Sequence, residues 1–298
     1  NTLFTGQVIQ LNVQPMDAIK FRAQSLLSDA KLGLELLSSQ LGSYVSPAAW
    51  QQTSHAGISS WAKICEDILP AADDKTIPSD AQVIAAVNAS VDDNAVVVAA
   101  AGSLPAELHK HWRAQQVGGY HLEYGYSCMG YEICGGVGAK LACPERDVVV
   151  MVGDGSYMMM NSDIATAVSM GLQLTIVVLD NEGFSCINRL QMATGGANFN
   201  NLLKDTYNKG LAQIDFAGHA RSMGAHAVHV DDIGGLKQAV QEARKRLGVS
   251  VVVIDTDPLI NSPGGAYWEV EVPEVSAREE VVDQHQQWTQ KRIAHRGY

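Results

Sequence analysis

Three uninterrupted apolar runs punctuate the middle of the chain: residues 95–101 (AVVVAAA), 147–152 (DVVVMV) and 174–179 (LTIVVL). None alternates polar with apolar, so each reads as a strand covered on both faces. Each leads directly into small or polar residues: Gly102-Ser103-Leu104-Pro105, Gly153-Asp154-Gly155-Ser156 and Asp180-Asn181-Glu182-Gly183. Pro105 suits the first turn of a helix. Residues 158–170 place Ile164, Ala165 and Val168 on one helical face, with Gly171 where a helix stops. Residues 225–230 and 249–255 read as further strands around a helix near 236–247, whose last turn holds Arg244, Lys245 and Arg246. Buried strands alternating with helices predict an α/β fold with a doubly wound parallel sheet. In such sheets ligands sit outside the carboxyl ends of the strands.

The beginning of the chain has a different pattern. Residues 7–13 (QVIQLNV) alternate, as a half-buried strand does. Pro15 and Asp17 then open a helical stretch in which Leu26, Leu27, Ala30, Leu34 and Leu37 recur at helical spacing. This strand–helix pair is either an edge unit of the main sheet or the tail of another domain. Residues 43–60, rich in Ser, Ala, Gln and Gly, read as a linker. The expected division is 1–45, then a linker and connecting helix over 46–78, then a main body over 79–298 ending in a helical tail.

Composition narrows the function classes. Among 298 residues, Lys plus Arg number 21 and Asp plus Glu 32, giving a net charge of −11. Such a surface repels phosphate backbones, which argues against a nucleic-acid binder. With 46% hydrophobic and 18% charged residues the chain can build a sizeable core. Its longest apolar runs fall far short of the ~20 residues of a membrane helix, so no membrane partner is expected. Five cysteines without a framework fit a reducing compartment, so a cytoplasmic location is expected.

The strand ends carry the chemistry. The glycines of Gly153-Asp154-Gly155-Ser156 allow close backbone approach, and the following helix start favours an anion. Asp154 would repel a phosphate directly, but it suits one if a hard divalent cation lies between them. Mg²⁺ needs more oxygens, and the next strand end offers the Asn181 side chain and the Gly183 carbonyl. One helix and one strand separate the two groups, which brings both strand ends side by side. Nucleotide-binding glycine fingerprints and a Walker loop are absent from the sequence. Cys128, Cys134 and Cys143 match no usual zinc spacing. His109 and His111 lie two apart on a helix and read as solvated.

A Gly-Asp-Gly at one strand end, followed one βαβ step later by Asn181, resembles the cofactor motif of thiamine-diphosphate enzymes. The resemblance implies that Asp154, Asn181 and the Gly183 carbonyl hold Mg²⁺ on the diphosphate of thiamine diphosphate, with Gly155 and Ser156 beside it. Asp180 stands where the family has the first of two Asn, and the metal ligand is the second. Gly102, Ser103 and Leu104 match the family's other diphosphate loop. In the segment 120–132 (YHLEYGYSCMGYE), Met129 before Gly130 takes the place of the apolar wedge that bends the cofactor. The Ser127 carbonyl takes the place that accepts from the aminopyrimidine.

The segments AGSLP, YHLEYGYSCMGYE, VGDGS and DNEGFSCINRLQM are similar to one branch of this superfamily. It hydrolyses the ring of 3D-(3,5/4)-trihydroxycyclohexane-1,2-dione to 5-deoxy-D-glucuronate in inositol catabolism. LNVQPMDAIK, Trp268 and Glu274-Val275-Ser276 add to the match. The resemblance implies a longer natural protein, with a pyrimidine-binding domain and most of a central domain ahead of Asn1. Residues 1–45 would then close the central domain, and 79–298 would be the diphosphate-binding domain. The activating glutamate is expected on the pyrimidine-binding domain of a neighbouring subunit, in a homodimer or homotetramer. Glu123 and Glu132 lie on the diphosphate side and are not assigned that role. Substrate contacts are expected from His121, Tyr124, Cys186, Asn188 and Gln191. Cys128 and Cys186 need not be nucleophiles, since the cofactor supplies one. Two alternatives are an acetolactate-synthase-like carboligase, against which the 120–132 segment argues, and an inactive fragment binding only diphosphate and Mg²⁺.

Overall fold

The computed structural model describes residues 6–69, 76–210, 212–263 and 270–293. The chain forms two compact units, Trp61–Val270 and a smaller one of Asn1–Ser60 with Glu271–Tyr298. In the smaller unit, β1 (Ile9–Asn12) leads through α1 (Pro15–Ala18) to a second strand, β2 (Gln24–Leu27). The two strands pair in parallel, with Ile9 opposite Gln24 and Asn12 opposite Leu27. One continuous helix after Pro15 was expected, and the structure corrects this. Phe21 and Arg22 adopt left-handed backbone angles, φ 59° and 54°, which turn the chain and put Leu26 and Leu27 in a strand. The helix resumes as α2 (Ala30–Leu41), capped by the Asp29 carboxylate, which accepts from the N–H groups of Lys31 and Leu32.

The linker expected at 43–60 is also corrected. Most of it lies in α3 (Ala48–Ile68), a 21-residue helix. Alanine and glutamine are good helix formers, and a composition that looks like a spacer does not oppose a helix. The boundary between the units falls inside α3.

The larger unit builds the sheet. Its elements are α4 (Asp80–Asn88), β3 (Val96–Ala99), α5 (Leu104–His111), β4 (Tyr120–Leu122), α6 (Tyr131–Ala142), β5 (Val148–Gly153), α7 (Asp154–Met159) and α8 (Asp163–Ser169). There follow β6 (Leu174–Asp180), α9 (Ser185–Ala193), α10 (Phe216–Ser222), β7 (His226–Val230), α11 (Ile233–Lys245) and β8 (Val249–Asp255). Six strands pair in parallel in the order β4-β3-β5-β6-β8-β7. The single helix expected over 158–170 is two, because the chain extends at Met160 before α8 begins. A last helix, α12 (Glu279–Ile293), groups with the smaller unit. Trp268 lies outside the described residues.

Strand alternation sorts the core into two layers. Val96, Val98, Val150, Ile176 and Val251 face one side with α6, α8 and α10. Val97, Val149, Met151, Val177 and Val252 face the other side with α4, α5 and α11. A sheet buried on both faces explains why the strands read as unbroken apolar runs. Gly136 of α6 lies so close to the sheet that a Cβ there would come within 2.2 Å of Val150. The chain crosses from β4 on one side of β3 to β5 on the other, so the sheet reverses its winding between β3 and β5. Ligand clefts in open parallel sheets form at this reversal. Among the described residues no helix is long and apolar enough to cross a membrane.

Candidate functional site

A cleft of about 230 Å³ opens at the carboxyl ends of β3, β5 and β6. Gly153 ends β5, and Asp154 begins α7 in its floor, buried at 6% exposure. Asp154 Oδ2 accepts from the Gly183 N–H at 2.8 Å, while its buried Oδ1 has no partner. Asn181, the first residue beyond β6, also lines the cleft, and its Oδ1 is likewise buried and unpartnered. Buried polar atoms without partners are rare and call for a ligand or ion to complete them.

Backbone geometry brings these oxygens together. Gly183 has φ +145°, and a Cβ there would lie 2.4 Å from the Asn201 carbonyl oxygen, so the position requires glycine. Phe184 N–H donates to that carbonyl at 2.7 Å, and Leu203 N–H donates to the Glu182 carbonyl at 2.8 Å. This strap fixes the 181–184 turn, and the Gly183 N–H bond to Asp154 joins it to the 153–156 turn. At Gly155 a Cβ would meet the Phe184 ring at 2.8 Å, so the two turns pack closely.

Charge is unfavourable here without a counter-ion. Burial pushes the Asp154 carboxyl up to about 7, and the nearby Asp180 adds to this. The nearby N–H groups of Gly155, Gly183 and Asn181 pull it back, and of these only Gly183 reaches hydrogen-bond geometry. Asp180 is raised too, first by burial and then by Asp255 and Glu182. Among the described residues no group of three His, Cys, Asp or Glu is placed to hold a metal. A carboxylate, an amide oxygen and a main-chain carbonyl are instead the hard oxygen donors that suit Mg²⁺.

Glu132 ties the cleft walls together from behind and is 1% exposed. Its carboxylate accepts from Ser156 Oγ at 2.8 and 2.9 Å, from the Gly130 N–H at 3.0 Å and from the Ala101 N–H at 3.3 Å. One side chain thus joins the end of β3, the turn before α6 and the first turn of α7. Gly102, Ser103 and Leu104 line the β3 wall, and Gly155 and Ser156 the β5 wall. Ser127, at φ 52°, and Met129 close the side toward β4, with the Met129 methyl 3.5 Å from the Gly155 Cβ position. Glu123 shapes this loop by accepting from the N–H groups of Tyr126 and Cys128 at 3.0 and 2.7 Å.

Of the expected substrate contacts, Tyr124 and Cys186 reach the cleft. Burial raises the Cys186 thiol, which leaves it protonated rather than nucleophilic. The other three expectations are corrected. His121 lies on β4 with its Nε2 2.6 Å from the Tyr131 hydroxyl and its ring stacked on that tyrosine, away from the cleft. Asn188 is fully buried and outside the cleft lining; its Nδ2 donates to Met192 Sδ at 3.5 Å within its own helix, and its Oδ1 has no partner. Gln191 Nε2 donates to the Ala197 carbonyl at 2.6 Å and fixes the turn after α9. The helix α9 explains the last two outcomes, since only its first turn lines the cleft.

His109 is exposed, but the reading of His111 as solvated is wrong. His111 is 3% exposed, 2.6 Å from Ser262 Oγ, and 3.9 Å from Cys65 Sγ. One residue behind the cleft walls, Glu132, and one lining the cleft, Asp80, were not expected from the sequence. The Glu132 role leaves no sequence signal, because its partners come from three separate segments. Asp80 lines the cleft and accepts from Ser103 Oγ at 2.8 Å. The capping signature Ser79-x-x-Gln82, which marks a helix start one strand before Gly102-Ser103, could have pointed to it.

Fold and cleft together define an α/β ligand-binding domain with its site at the strand carboxyl ends. The chain belongs to the thiamine pyrophosphate enzyme family: the model described as "Thiamine pyrophosphate enzyme, C-terminal TPP binding domain" matches residues 100–254, just over half of it. It is 35% identical to a 3D-(3,5/4)-trihydroxycyclohexane-1,2-dione hydrolase of Geobacillus thermodenitrificans, over 93% of this chain and 48% of that protein. It is 39% identical to a 3D-(3,5/4)-trihydroxycyclohexane-1,2-dione hydrolase 2 of Bacillus cereus, over 67% of this chain and 32% of that protein. The chain spans about half the length, or less, of these curated relatives. Among solved structures, a thiamine diphosphate-dependent 4-hydroxybenzoylformate decarboxylase of Rhodococcus jostii RHA1 superposes with a TM-score of 0.65 at 18% identity. That match covers 85% of this chain and 44% of the decarboxylase, and it bears on the fold alone.

Proposed function

We propose that this chain is the diphosphate-binding part of a Mg²⁺-dependent hydrolase acting on a cyclic 1,2-dione, with 3D-(3,5/4)-trihydroxycyclohexane-1,2-dione as substrate and 5-deoxy-D-glucuronate as product. The observation that carries the metal and cofactor reading is the pair of buried, unpartnered oxygens, Asp154 Oδ1 and Asn181 Oδ1, in one cleft. The substrate reading is supported by the 35% identical relative.

The residues present fit the cofactor. Asp154, Asn181 and the Gly183 carbonyl would hold Mg²⁺, and the main chain at Gly102–Ser103 and Gly155–Ser156 would receive the diphosphate. Met129 would support the bent cofactor, and the Ser127 carbonyl would accept from its aminopyrimidine. Thiamine diphosphate, when bound, supplies a carbon nucleophile for a ketone and a sink for the electrons of the broken C–C bond. Tyr124 and Cys186 offer a hydroxyl and a protonated thiol at the cleft for orienting a polyhydroxylated substrate. Glu132 holds the three walls in register.

No residue of this chain is assigned the activating carboxylate, because Glu123 and Glu132 are both occupied by local N–H groups and hydroxyls. The pyrimidine-binding domain of a neighbouring subunit would provide it, in a cytoplasmic homodimer or homotetramer. The test uses the whole protein, with and without Mg²⁺, and follows loss of the dione and appearance of 5-deoxy-D-glucuronate by NMR. Metal-dependent, stoichiometric conversion is expected. Turnover of pyruvate to an acetolactate-type product, with the dione untouched, would replace the hydrolase reading by a carboligase.

A further inference from the structure

Asp80 is a buried carboxyl that the reading above does not use. It is the first residue of α4, is 2% exposed and forms part of the cleft wall. Its Oδ2 accepts from Ser103 Oγ at 2.8 Å, and its Oδ1 has no partner. The Thr256 hydroxyl approaches the same carboxyl without reaching hydrogen-bond geometry, and it too is unpartnered. Among the described residues no cation lies within ion-pair distance of Asp80. Arg189 acts on it only from farther away, with its Nη1 committed to the Pro258 carbonyl at 2.8 Å.

A charged carboxyl in this place opposes an anion in the cleft twice. It repels the anion, and it draws the Ser103 hydroxyl proton away from it. A neutral carboxyl reverses the 2.8 Å contact. The acid proton then points at Ser103 Oγ, and the serine proton is free to turn into the cleft. We propose that Asp80 is a positioning residue that is neutral when the cleft holds a diphosphate and that turns the Ser103 hydroxyl onto that anion. The inference rests on the diphosphate reading of the cleft. One proton is taken up from solvent when the anion binds, and no covalent bond changes.

The groups facing Asp80 are Ser103 and Glu107 of the α5 segment, Cys186 and Arg189 of α9, and Thr256 beyond β8. Burial raises the carboxyl above its ordinary range, and Glu107 adds to this. Ser103, Arg189 and Thr256 pull the other way. The first turn of α4 also favours the charged form modestly.

The test is isothermal titration of the whole protein, in Mg²⁺, with inorganic pyrophosphate. It is run from pH 6 to 9 in two buffers of different ionisation heat. Wild type is expected to take up about one more proton per site than Asp80→Asn. Above the carboxyl's pKa its affinity should fall by about tenfold per pH unit relative to that variant. The same proton count and pH profile in both proteins would overturn the inference. Ionisation of Asp154 is common to both and cancels in the comparison. Ser103→Ala keeps the carboxyl and covers a folding failure of Asp80→Asn. It should bind about tenfold more weakly than wild type at pH 6 and nearly equally at pH 9. An affinity ratio that does not change with pH would also overturn the inference. Failure of wild type to bind pyrophosphate at any pH would bring down the diphosphate reading itself.

Discussion

The larger unit contains two buried polar constellations that differ in how completely they are paired. At the cleft, Asp154, Asn181 and Asp80 each keep a buried oxygen without a partner. Around His111 nothing is left over. Cys65 lies 3.9 Å from His111 Nδ1, and His111 Nε2 lies 2.6 Å from Ser262 Oγ. Ser262 Oγ donates to Glu107 Oε2 at 2.6 Å, and Lys110 donates to Glu107 Oε1 and the Ser262 carbonyl at 3.0 and 2.8 Å. The donors and acceptors chain with the His111 proton on Nε2, and burial favours the neutral ring. A histidine, a serine and a glutamate in contact suggest catalysis by composition, yet full pairing and burial mark this group as a clamp between α5 and the chain after β8. Between these two groups the missing partners, rather than the kinds of residue, mark the cleft; unpartnered atoms at Tyr120, Asp205 and Ser250 lie outside it and do not converge on one cavity.

Mutations sharpen that contrast. The largest effect is expected from Asp154→Ala in the whole protein, which should weaken Mg²⁺-dependent thiamine diphosphate binding by at least about a hundredfold, beyond the usual loss for an outer-shell partner. Unchanged affinity in a fluorescence titration would remove Asp154 from the metal site. In the metal-free protein, Asp154→Asn should have the opposite sign on stability, because it relieves a buried charge. A gain of about 2 kcal/mol, roughly 4–8 °C in Tm, is expected by calorimetry. A lower Tm would show that the carboxylate is satisfied after all.

Glu132→Ala leaves the Ala101 N–H and the Ser156 hydroxyl without their acceptor, while the Gly130 N–H keeps Ser156 Oγ at 2.8 Å. A loss of about 3 kcal/mol is expected from denaturant unfolding. Its recovery by Glu132→Gln should be partial.

At the clamp the prediction concerns pH. Burial lowers the His111 pKa, with Glu107 opposing. The unfolded chain therefore takes up the proton first as pH falls through about 6.5. The stability that neutral His111 contributes is present above that pH and declines below it. His111→Gln should flatten the fall in Tm between pH 7 and 5, and an unchanged slope would break the assignment. The smallest effect belongs to His121→Ala. It loses one exposed contact with Tyr131, costs under about 0.5 kcal/mol and leaves cofactor affinity unchanged.

Much of the larger unit was legible from local pattern. Residues 147–152 and 174–179 read as buried strands because both sheet faces are covered, so no alternation interrupts them. Asp154, Asn181 and Gly183 were legible because strand ends follow apolar runs and the βαβ spacing places them together. The first forty residues misled for a local reason. Leu26 and Leu27 satisfy helical spacing with Ala30 and Leu34, and nothing in that periodicity reports the left-handed turn at Phe21 and Arg22. Residues 43–60 misled because a mix of small and polar residues that suits a spacer does not oppose a helix.

By itself the sequence determined the parallel α/β class, the membership of the thiamine pyrophosphate enzyme family, and the strand-end residues that meet at the cleft. The class follows from periodicity, the family from the resemblance of short motifs, and the strand-end residues from spacing along the chain, all of which are local. The tertiary structure alone decided which polar side chains are paired. It sent His121, Asn188 and Gln191 to other partners, buried His111 in a closed network and brought Asp80 and Glu132 to the cleft. Pairing is a property of contacts between segments far apart in sequence, and no local pattern encodes which buried oxygen will be left without a donor.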